Sequence, residues 1–445
     1  MQLTDYFKFD TYTIDLSKGE AAFSYELKYA DKTYNFTEKL TFIPPTDKKI
    51  SSDSARILDE IGKSLHLILG ISYWKTYCPK MIVLPFTLTE KQAAFWNLFY
   101  TKGLGEFFYE NKIDYRDLVQ FPYVQETKNQ KRNIDQQDRS LVMIGGGKDS
   151  IVSAELMKSG GFDFSLFALN TYAMHGPIVE QIGKPIVRMT RIIDKQLIEL
   201  NKEGAYNGHV PISAIYAFTS LLSAFLYDYK YIVVSNEESA NYGNVLYLGA
   251  EINHQWSKSL EFEKRFQEYI DEFVVSGITY FSLLRPFREI KIVELFTHMS
   301  KYFPLFSSCN RNFAMTNTRK EAFWCGACAK CAFIFLLLAA FLEKEKVLSI
   351  FHKNLFEDVS LLQTYKQILG IEGVKPFDCV GTPEESLYAL SRIIGRKEYA
   401  DDTVIVELSK LIGSQITPIN KNGEKLLQAL SSDTVPEVFR SLINL

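Results

Sequence analysis

The chain has 445 residues, 47% of them hydrophobic and 23% charged, which is enough to bury a large core and to divide into two or three domains. Its formal net charge is only -3, and this argues against a general nucleic-acid-binding protein. The N-terminus lacks a basic and apolar leader, and the longest apolar run, Ala332–Leu342, is too short to span a bilayer. We therefore expect a soluble cytoplasmic protein whose partners are small molecules, without nucleic acid or membrane.

Residues 1–126 are predicted to form an N-terminal α+β domain. The segment Ala21–Ile43 alternates apolar and polar residues on both sides of a turn centred on Asp31, a pattern typical of paired β-strands. Helical patterns follow from Ser54. Residues 127–139 contain a single apolar side chain, Ile134, so we interpret them as a linker to a second domain.

A glycine-rich turn follows the linker, where Ser140–Lys158 reads SLVMIGGGKDSIVSAELMK. The apolar run Leu141–Ile144 predicts a buried strand, and Asp149 or Ser150 could cap the helix that follows. Such a turn points backbone N–H groups and the positive end of a helix dipole at one spot, which favours phosphate binding. The turn is not a Walker loop, because Asp149 stands between Lys148 and the serine.

This turn resembles SGGxDS, the pyrophosphate loop (PP-loop) of the N-type ATP pyrophosphatases, with glycine in place of the first serine. The resemblance implies an α/β, adenine nucleotide alpha hydrolase-like core with a parallel sheet over residues 140–345, and it implies ATP and Mg²⁺ as cofactors. The positions implied to bind the nucleotide are Gly145, Gly146, Gly147, Lys148, Asp149 and Ser150, together with Asn170, Asn236 and Glu237.

Two further strands are predicted at Phe164–Leu169 and Tyr231–Ser235, with a helix that begins near Pro211 between them. This βαβ pattern indicates a parallel sheet, and ligands of such sheets bind at the carboxyl ends of the strands. The polar segment after the third strand offers His254 and Lys258 as candidate catalytic residues. The alternatives are a hydrogen-bonded structural histidine and a lysine on a solvated helix face.

Further along the chain, Arg285, Arg288 and Lys291 lie near a helix start. They could bind a phosphate or a carboxylate, or they could form an exposed basic helix face.

A cysteine cluster is the second chemical signal. The stretch WCGACAKC places Cys325, Cys328 and Cys331 at C-x2-C-x2-C spacing, and Cys309 lies sixteen residues upstream of the first of them. Four thiolates complete the tetrahedral shell of a structural zinc ion, with no open position for a reacting water. An iron–sulfur cluster and reduced buried thiols are the alternatives. The isolated Cys78 and Cys379 are expected to be core residues.

Residues 346–445 are predicted to form a helical C-terminal region. Its clearest start signal is Thr382-Pro383-Glu384-Glu385, which joins a capping box to a proline at the first helical position.

Several stretches, taken in chain order, together resemble the UDP-N-acetylmuramoyl-L-alanyl-L-glutamate epimerase family from about Leu65 to about Glu385. They are LHLILGISYWKTYCP, YTKGLGEFFYEN, GGGKDS, SNEESAN, INHQWSKSLEFE, WCGACAKC and KPFDCVGTPEE. That family is understood to use ATP and magnesium to invert the terminal L-glutamate of the UDP-muramoyl dipeptide, which supplies D-glutamate to the precursor of the bacterial cell wall.

The chemistry of that reaction is consistent with these residues. The α-proton of a glutamate is hard to remove beside a carboxylate, so the carboxylate is first converted to a neutral acyl-adenylate with release of pyrophosphate. The glycine loop would hold pyrophosphate, Asp149 would help to hold magnesium, and His254, or else Lys258, would act as the base. The alternatives are an amide- or nitrile-forming ligase of the deazaguanine synthase type and a non-catalytic nucleotide-binding protein.

Overall fold

The computed structural model of the chain describes residues 5–45, 50–125, 132–313, 323–413, 423–431 and 433–444. The predicted linker lies only partly within these ranges, because residues 127–131 fall outside them. Its described part is attached to the rest of the protein: the backbone N–H of Ile134 donates to the Ser276 carbonyl at 3.0 Å, and the Gln136 side chain donates to the Ala224 carbonyl at 2.7 Å.

The N-terminal region begins with an antiparallel meander of three strands, β1 (Tyr6–Asp15), β2 (Glu20–Tyr29) and β3 (Lys32–Phe42). The predicted turn at Asp31 is confirmed. Alternate residues of β2 are buried, because the long helix α1 (Ser52–Trp74) packs across the meander. The helix begins two residues earlier than predicted, since the Ser51 hydroxyl caps it by accepting from the Ser54 amide.

Three shorter elements complete this region. They are β4 (Met81–Val83), which pairs in parallel with β1, and the helices α2 (Glu90–Gly103) and α3 (Gly105–Glu110).

The α/β core follows the linker. Its strands are β5 (Ser140–Met143), β6 (Phe164–Leu169), β7 (Ile186–Ile192), β8 (Tyr231–Val234), the separate antiparallel pair β9 (Val245–Tyr247) and β10 (Ala250–Ile252), and β11 (Thr279–Ser282). The helices between them are α4 (Lys148–Ser159), α5 (His175–Ile182), α6 (Lys195–Lys202), α7 (Ile212–Tyr227) and α8 (Leu260–Tyr269). The three predicted strands and the helix after Pro211 are confirmed, whereas β7, β9, β10 and β11 were not predicted.

The strand order explains where a ligand can bind. The main sheet has nine strands in the order β11-β8-β5-β6-β7-β3-β2-β1-β4, and β11, β8, β5, β6 and β7 run parallel to their neighbours in this group. From β5 the chain proceeds to β6 and β7 on one side and then returns to β8 and β11 on the other. The order therefore reverses between β5 and β8, and their carboxyl ends border the crevice where doubly wound sheets bind ligands.

Helices cover both faces of the core. Val142 and Val233 belong to one hydrophobic cluster, while their neighbours Leu141 and Ile232 belong to the other. Because successive side chains of a strand point to opposite faces, burial on both sides requires the continuous apolar runs seen in β5 and β8. The antiparallel pairing of β7 with β3 joins the N-terminal meander to the same sheet.

The described chain after β11 is helical, and this includes the C-terminal region from residue 346 that was predicted to be helical. Its helices are α9 (Glu289–Thr297), α10 (Asn310–Phe313), α11 (Ala329–Ala339), α12 (Lys344–Phe351), α13 (Leu362–Ile368), α14 (Pro383–Arg396) and α15 (Thr403–Ile412). The capping box of α14 is confirmed, because Thr382 and Glu385 exchange side-chain to backbone hydrogen bonds. None of the described helices has both the length and the apolar character that a membrane crossing requires.

Candidate active site

The glycine loop connects β5 to α4. Gly146 has φ +87°, and a Cβ there would lie 2.5 Å from the Met174 sulfur, so only glycine fits. Gly147 is the N-cap of α4 and no side chain caps the helix, which makes the prediction of Asp149 or Ser150 as the cap wrong. Both lie in the first turn, where the Ser150 hydroxyl donates to the Gly147 carbonyl at 2.9 Å. The uncapped amides of this helix start suit an anion.

A buried charge cluster lies beside the loop. Lys148 is fully buried, and its Nζ contacts the Asp149 carboxylate and lies 2.9 Å from Oε1 of Glu289. Burial opposes the charge of Lys148, but the two carboxylates outweigh it and raise the lysine pKa. Lys330 donates to the same Oε1 at 3.1 Å. Burial would raise the pKa of Glu289, but the two lysines lower it, so this carboxylate is ionised.

The second border of the crevice is the end of β8, which is followed directly by Asn236 and Glu237. Both side chains are buried. Burial, and next the negative charge of Glu289, raises the pKa of Glu237. Asn170, by contrast, uses its Oδ1 to accept from the Arg191 amide at 2.8 Å, so it fixes the end of β6 against β7.

Three carboxylates, those of Asp149, Glu237 and Glu289, lie near the loop and act on one another electrostatically. Oε2 of Glu289 is buried and has no hydrogen-bond partner among the described residues. Carboxylate oxygens are the ligands that Mg²⁺ prefers, and Asp149 lies at the loop itself. The donor type therefore suits Mg²⁺, but these three residues are not among the described groups whose ligand atoms lie within 4.8 Å of one another.

Arg285 does not bind an external anion in this arrangement. Its guanidinium is 2% exposed and pairs with Glu263 at 2.8 Å. It also donates to the carbonyls of Glu237 at 2.7 Å and Lys258 at 2.6 Å. Arg285 thus fixes the backbone of two candidate site residues. Lys291 pairs with Glu294 at 2.7 Å on the same helix.

His254 lies between two potential proton-transfer partners, the Glu106 carboxylate and the Cys379 thiol. Its Nδ1 contacts the carboxylate of Glu106, which α3 of the N-terminal region supplies, and its backbone N–H donates to Asn244 at 3.0 Å. His209 reaches the same carboxylate at 3.2 Å. Burial would lower the pKa of His254, but Cys379 and Glu106 outweigh burial and raise it to about 10.

Cys379 completes this group, although the sequence predicted a core residue. It lies in the loop before α14, is only partly buried, and has its sulfur 3.2 Å from Lys258 Nζ and 3.8 Å from His254 Nε2. Burial would raise the thiol pKa, but Lys258 and His254 lower it to about 6. The thiolate in turn raises the pKa of Lys258. Cys78, the other isolated cysteine, is buried as predicted.

Lys330 links the charge cluster beside the glycine loop to the group formed by Cys379, His254 and Lys258. Its ammonium contacts both Glu289, beside the glycine loop, and the backbone carbonyl of Cys379. The loop, the end of β8 and the pair Cys379–His254 therefore surround one region at the carboxyl edge of the sheet. Glu106, Glu289 and Cys379 were missed as site residues. Cys379 could have been identified as a candidate, because it lies within KPFDCVGTPEE, one of the stretches on which the family resemblance depends.

The four predicted metal ligands, Cys309, Cys325, Cys328 and Cys331, come together, with their ligand atoms within 4.8 Å of one another. The sulfur of Cys331 lies 3.7 Å from that of Cys325 and 3.5 Å from that of Cys328. Thiolates around a tetrahedral zinc ion are separated by roughly 3.8 Å, given the usual zinc–sulfur bond. The donor set and spacing therefore fit zinc.

The cluster also adjoins the loop. The Ser307 amide, two residues before Cys309, donates to the Gly146 carbonyl at 3.1 Å.

Known proteins are similar to this chain along nearly its whole length. The model of the MurL N-terminal domain matches residues 1–283, and that of the MurL C-terminal domain matches residues 305–422. Three similar proteins are named UDP-N-acetyl-alpha-D-muramoyl-L-alanyl-L-glutamate epimerase. The one from Xanthomonas oryzae is 33% identical over 97% of this chain and 95% of its own. The Micromonospora protein is 37% identical, covering 90% and 89%, and the Salinispora tropica protein is 36% identical, covering 91% and 88%.

Proposed function

This chain belongs to the MurL family, and we propose that it epimerises the terminal L-glutamate of UDP-N-acetylmuramoyl-L-alanyl-L-glutamate to D-glutamate. The observation that carries the proposal is the match over most of both chains to three proteins with that name. The enzyme is then an isomerase that acts on a nucleotide-linked precursor of peptidoglycan. We propose the cytoplasm as its compartment, where thiolates such as those of the cysteine cluster remain reduced.

ATP is the proposed co-substrate. The amides of Gly146, Gly147 and Lys148 would bind its phosphates at the start of α4, and Ser150 would contribute a hydroxyl. Asn236 and Glu237 border the same crevice from β8 and would contact the nucleotide. These placements are supported by the strand-order reversal between β5 and β8, where the glycine loop and the end of β8 meet.

Mg²⁺ would be held by Asp149 at the loop, and the carboxylates of Glu237 and Glu289 would lie near it. Its role would be to neutralise negative charge on the phosphates. The buried and unpaired Oε2 of Glu289 supports this assignment.

The need for ATP follows from the acidity of the α-proton. A carbanion beside a carboxylate would add negative charge to a group that is already negative. Conversion of the carboxylate to an acyl-adenylate removes that charge, and pyrophosphate leaves into the glycine loop. His254 is the proposed base, and Lys258 is the next candidate. Because its pKa is about 10, His254 is protonated at neutral pH and must release a proton before it can accept one.

The cysteine cluster is proposed to hold a structural zinc ion. Four thiolates leave no coordination position for a substrate or a water molecule. The ion would instead hold the segment that supports the glycine loop against α11.

The experiment is a product analysis. The purified protein is incubated with UDP-N-acetylmuramoyl-L-alanyl-L-glutamate, ATP and Mg²⁺; AMP and pyrophosphate are measured, and the glutamate released by acid hydrolysis is resolved by chirality. We expect D-glutamate and AMP together, each only when both substrates are present. Asp149→Ala should abolish both, while Lys148 keeps Glu289 as a partner and the fold is retained. Formation of ADP, or an unchanged L-glutamate, would contradict the proposal.

A further inference from the structure

We propose that Cys379 is a catalytic nucleophile that carries the activated glutamyl group as a thioester, in a triad with His254 and Glu106. This inference rests on the proposed function, because the acyl group that the thiolate attacks is the activated glutamate of that reaction.

The geometry is that of a nucleophile, its base and the group that orients the base. The sulfur of Cys379 lies 3.8 Å from Nε2 of His254, and Nδ1 on the other side of the ring contacts the Glu106 carboxylate. A Cys–His–acid arrangement of this kind activates thiolates for acyl transfer on unrelated folds. The three residues come from α3, the loop after β10 and the loop before α14, so their meeting is a property of the whole fold.

The loops that hold the triad are tied to each other. Asn244 accepts the amide of His254 at 3.0 Å and donates to the carbonyl of Pro376 at 2.8 Å, three residues before the cysteine. The backbone of Cys379 is held by Lys330, and Thr382, three residues later, caps the start of α14. The nucleophile and its base are therefore held in fixed register before substrate arrives.

The surroundings of the sulfur favour its anionic form. Lys258 lies 3.2 Å away, and burial alone would oppose ionisation. The titratable groups that face this site from all sides are His254, Lys258, Lys330, Lys375, Asp378, Glu106, His209 and Glu237. Three lysines and an imidazolium thus lie around one half-buried thiolate.

The Cys379 thiolate attacks the carbonyl carbon of the acyl-adenylate, a carbon–sulfur bond forms, and the carbon–oxygen bond to AMP breaks. His254 passes its proton to the departing phosphate and becomes neutral, so it can then accept the α-proton, which a thioester acidifies relative to a carboxylate. His254 is then protonated again, as at the start, and a proton from solvent adds to the opposite face of the α-carbon, which inverts the centre. Water attacks the thioester, the carbon–sulfur bond breaks, and the products are the carboxylate, the thiolate and two protons released to solvent.

A metal ion is the rival occupant of part of this site. Glu106, His209 and His254 offer donor atoms within 4.8 Å of one another. In the structure, however, Nδ1 of His254 contacts the Glu106 carboxylate directly, so a bound ion would have to replace that contact. A second bound zinc, lost in His209→Ala, would overturn the proposal.

The first test is trapping of the acyl-enzyme. Wild-type protein is mixed with ATP, Mg²⁺ and the UDP-muramoyl dipeptide, quenched in acid and analysed by intact-mass and peptide mass spectrometry. We expect an adduct whose mass is that of the dipeptide substrate minus one water, located on Cys379 and removed by hydroxylamine. It should be absent in Cys379→Ala and present in the control Cys78→Ser. If wild type forms D-glutamate but Cys379→Ala keeps its rate, the nucleophile is excluded while the epimerase assignment stands.

If wild type forms neither AMP nor D-glutamate, the proposed function itself fails. The proposal would also be overturned if wild type formed no adduct, and if Cys379→Ala lost deuterium uptake at the α-carbon while its AMP release stayed normal. Cys379 would then be an acid–base group and not a nucleophile.

The second test needs no nucleotide. Alkylation of Cys379 by iodoacetamide, followed by peptide mass spectrometry, should increase with pH around about 6, since its pKa is lowered to about 6. Glu106→Gln removes the carboxylate that stabilises the imidazolium, and His254→Gln removes the imidazolium that stabilises the thiolate. In both variants the pH midpoint of Cys379 alkylation should therefore rise, and alkylation at pH 6.5 should slow by about tenfold. An unchanged midpoint in both variants, with thermal unfolding like that of wild type, would show that the triad does not exist.

Discussion

At the scale of single residues, Gly145 and Gly146 in the loop after β5 differ in whether the fold could accept a side chain at their positions. A Cβ at Gly145 would meet nothing within 4 Å, whereas Gly146 has φ +87° and lies against Met174. A serine would therefore fit at position 145 in this fold. Glycine at position 146 is instead required by backbone conformation and by the close approach of a neighbour.

A matched pair of variants tests this difference. Gly146→Ala places a side chain in the left-handed region and 2.5 Å from the Met174 sulfur, so we expect the free energy of unfolding to fall by about 2 kcal/mol. Gly145→Ala should change it by less than about 0.5 kcal/mol. Denaturant unfolding measures both, and equal stability of the two variants would refute this reading of the loop.

His254→Gln separates adenylation from proton transfer. The amide keeps the approximate size and a hydrogen bond to Glu106 but cannot act as a base. We expect exchange of labelled pyrophosphate into ATP to survive, while solvent deuterium uptake at the α-carbon falls by a factor on the order of 100 or more. Should both rates fall equally, His254 would have a binding or structural role instead.

The residues that sequence reasoning found and missed differ in a physical way. The glycine loop and the cysteine cluster are local, so spacing along the chain was sufficient to predict them. Glu106 and Cys379 reach His254 from positions 148 and 125 residues away. No periodicity or spacing encodes such a meeting, because it depends on how the N-terminal and C-terminal regions pack onto the core.

At the scale of elements, strands were predicted where burial on both faces demands a continuous apolar run, as in β5, β6 and β8. The strand β7 reads IVRMTRI, and its exposed and buried residues interleave because helices do not fully cover it. The strand β11 reads TYFS, so a polar residue stands at each of its ends. Short strands that lack a continuous apolar run cannot be distinguished from loops by pattern alone.

The cysteine cluster gives the prediction at this scale. We expect close to one zinc per chain by elemental analysis. Cys328→Ser should weaken zinc binding and lower the melting temperature, because a zinc ion at this cluster would fix the start of α11 and the segment supporting the glycine loop. Cys78→Ser serves as the control, since Cys78 lies outside the cluster. Iron in place of zinc, or fully active protein without metal, would exclude a structural zinc site.

At the scale of the whole molecule, the N-terminal meander and the α/β core share one sheet and a buried ion pair. Arg191 on β7 donates to Glu38 on β3 at 2.6 Å and to Ser72 on α1 at 2.9 Å. Both charged side chains are buried. The region that supplies Glu106 is thus joined rigidly to the core that carries the glycine loop.

Removing one partner of the Glu38–Arg191 ion pair tests this connection between the N-terminal meander and the core. Glu38→Ala leaves the Arg191 charge buried and unpaired, so we expect a loss of about 3–5 kcal/mol in the free energy of unfolding. Glu20→Ala removes a partly exposed pair with Lys39 on the same meander, and should cost about 0.5 kcal/mol or less. Equal effects of the two substitutions would show that the buried pair does not hold the two regions together.

The central claim is that the protein removes and returns the α-proton of an activated glutamate. The most direct measurement is the reaction in deuterium oxide with ATP, Mg²⁺ and UDP-N-acetylmuramoyl-L-alanyl-L-glutamate, followed by chiral and mass analysis of the glutamate. We expect D-glutamate that carries one deuterium at the α-carbon, formed together with AMP. Simple ligation leaves that hydrogen untouched. AMP formation with an L-glutamyl product free of α-deuterium would contradict the claim.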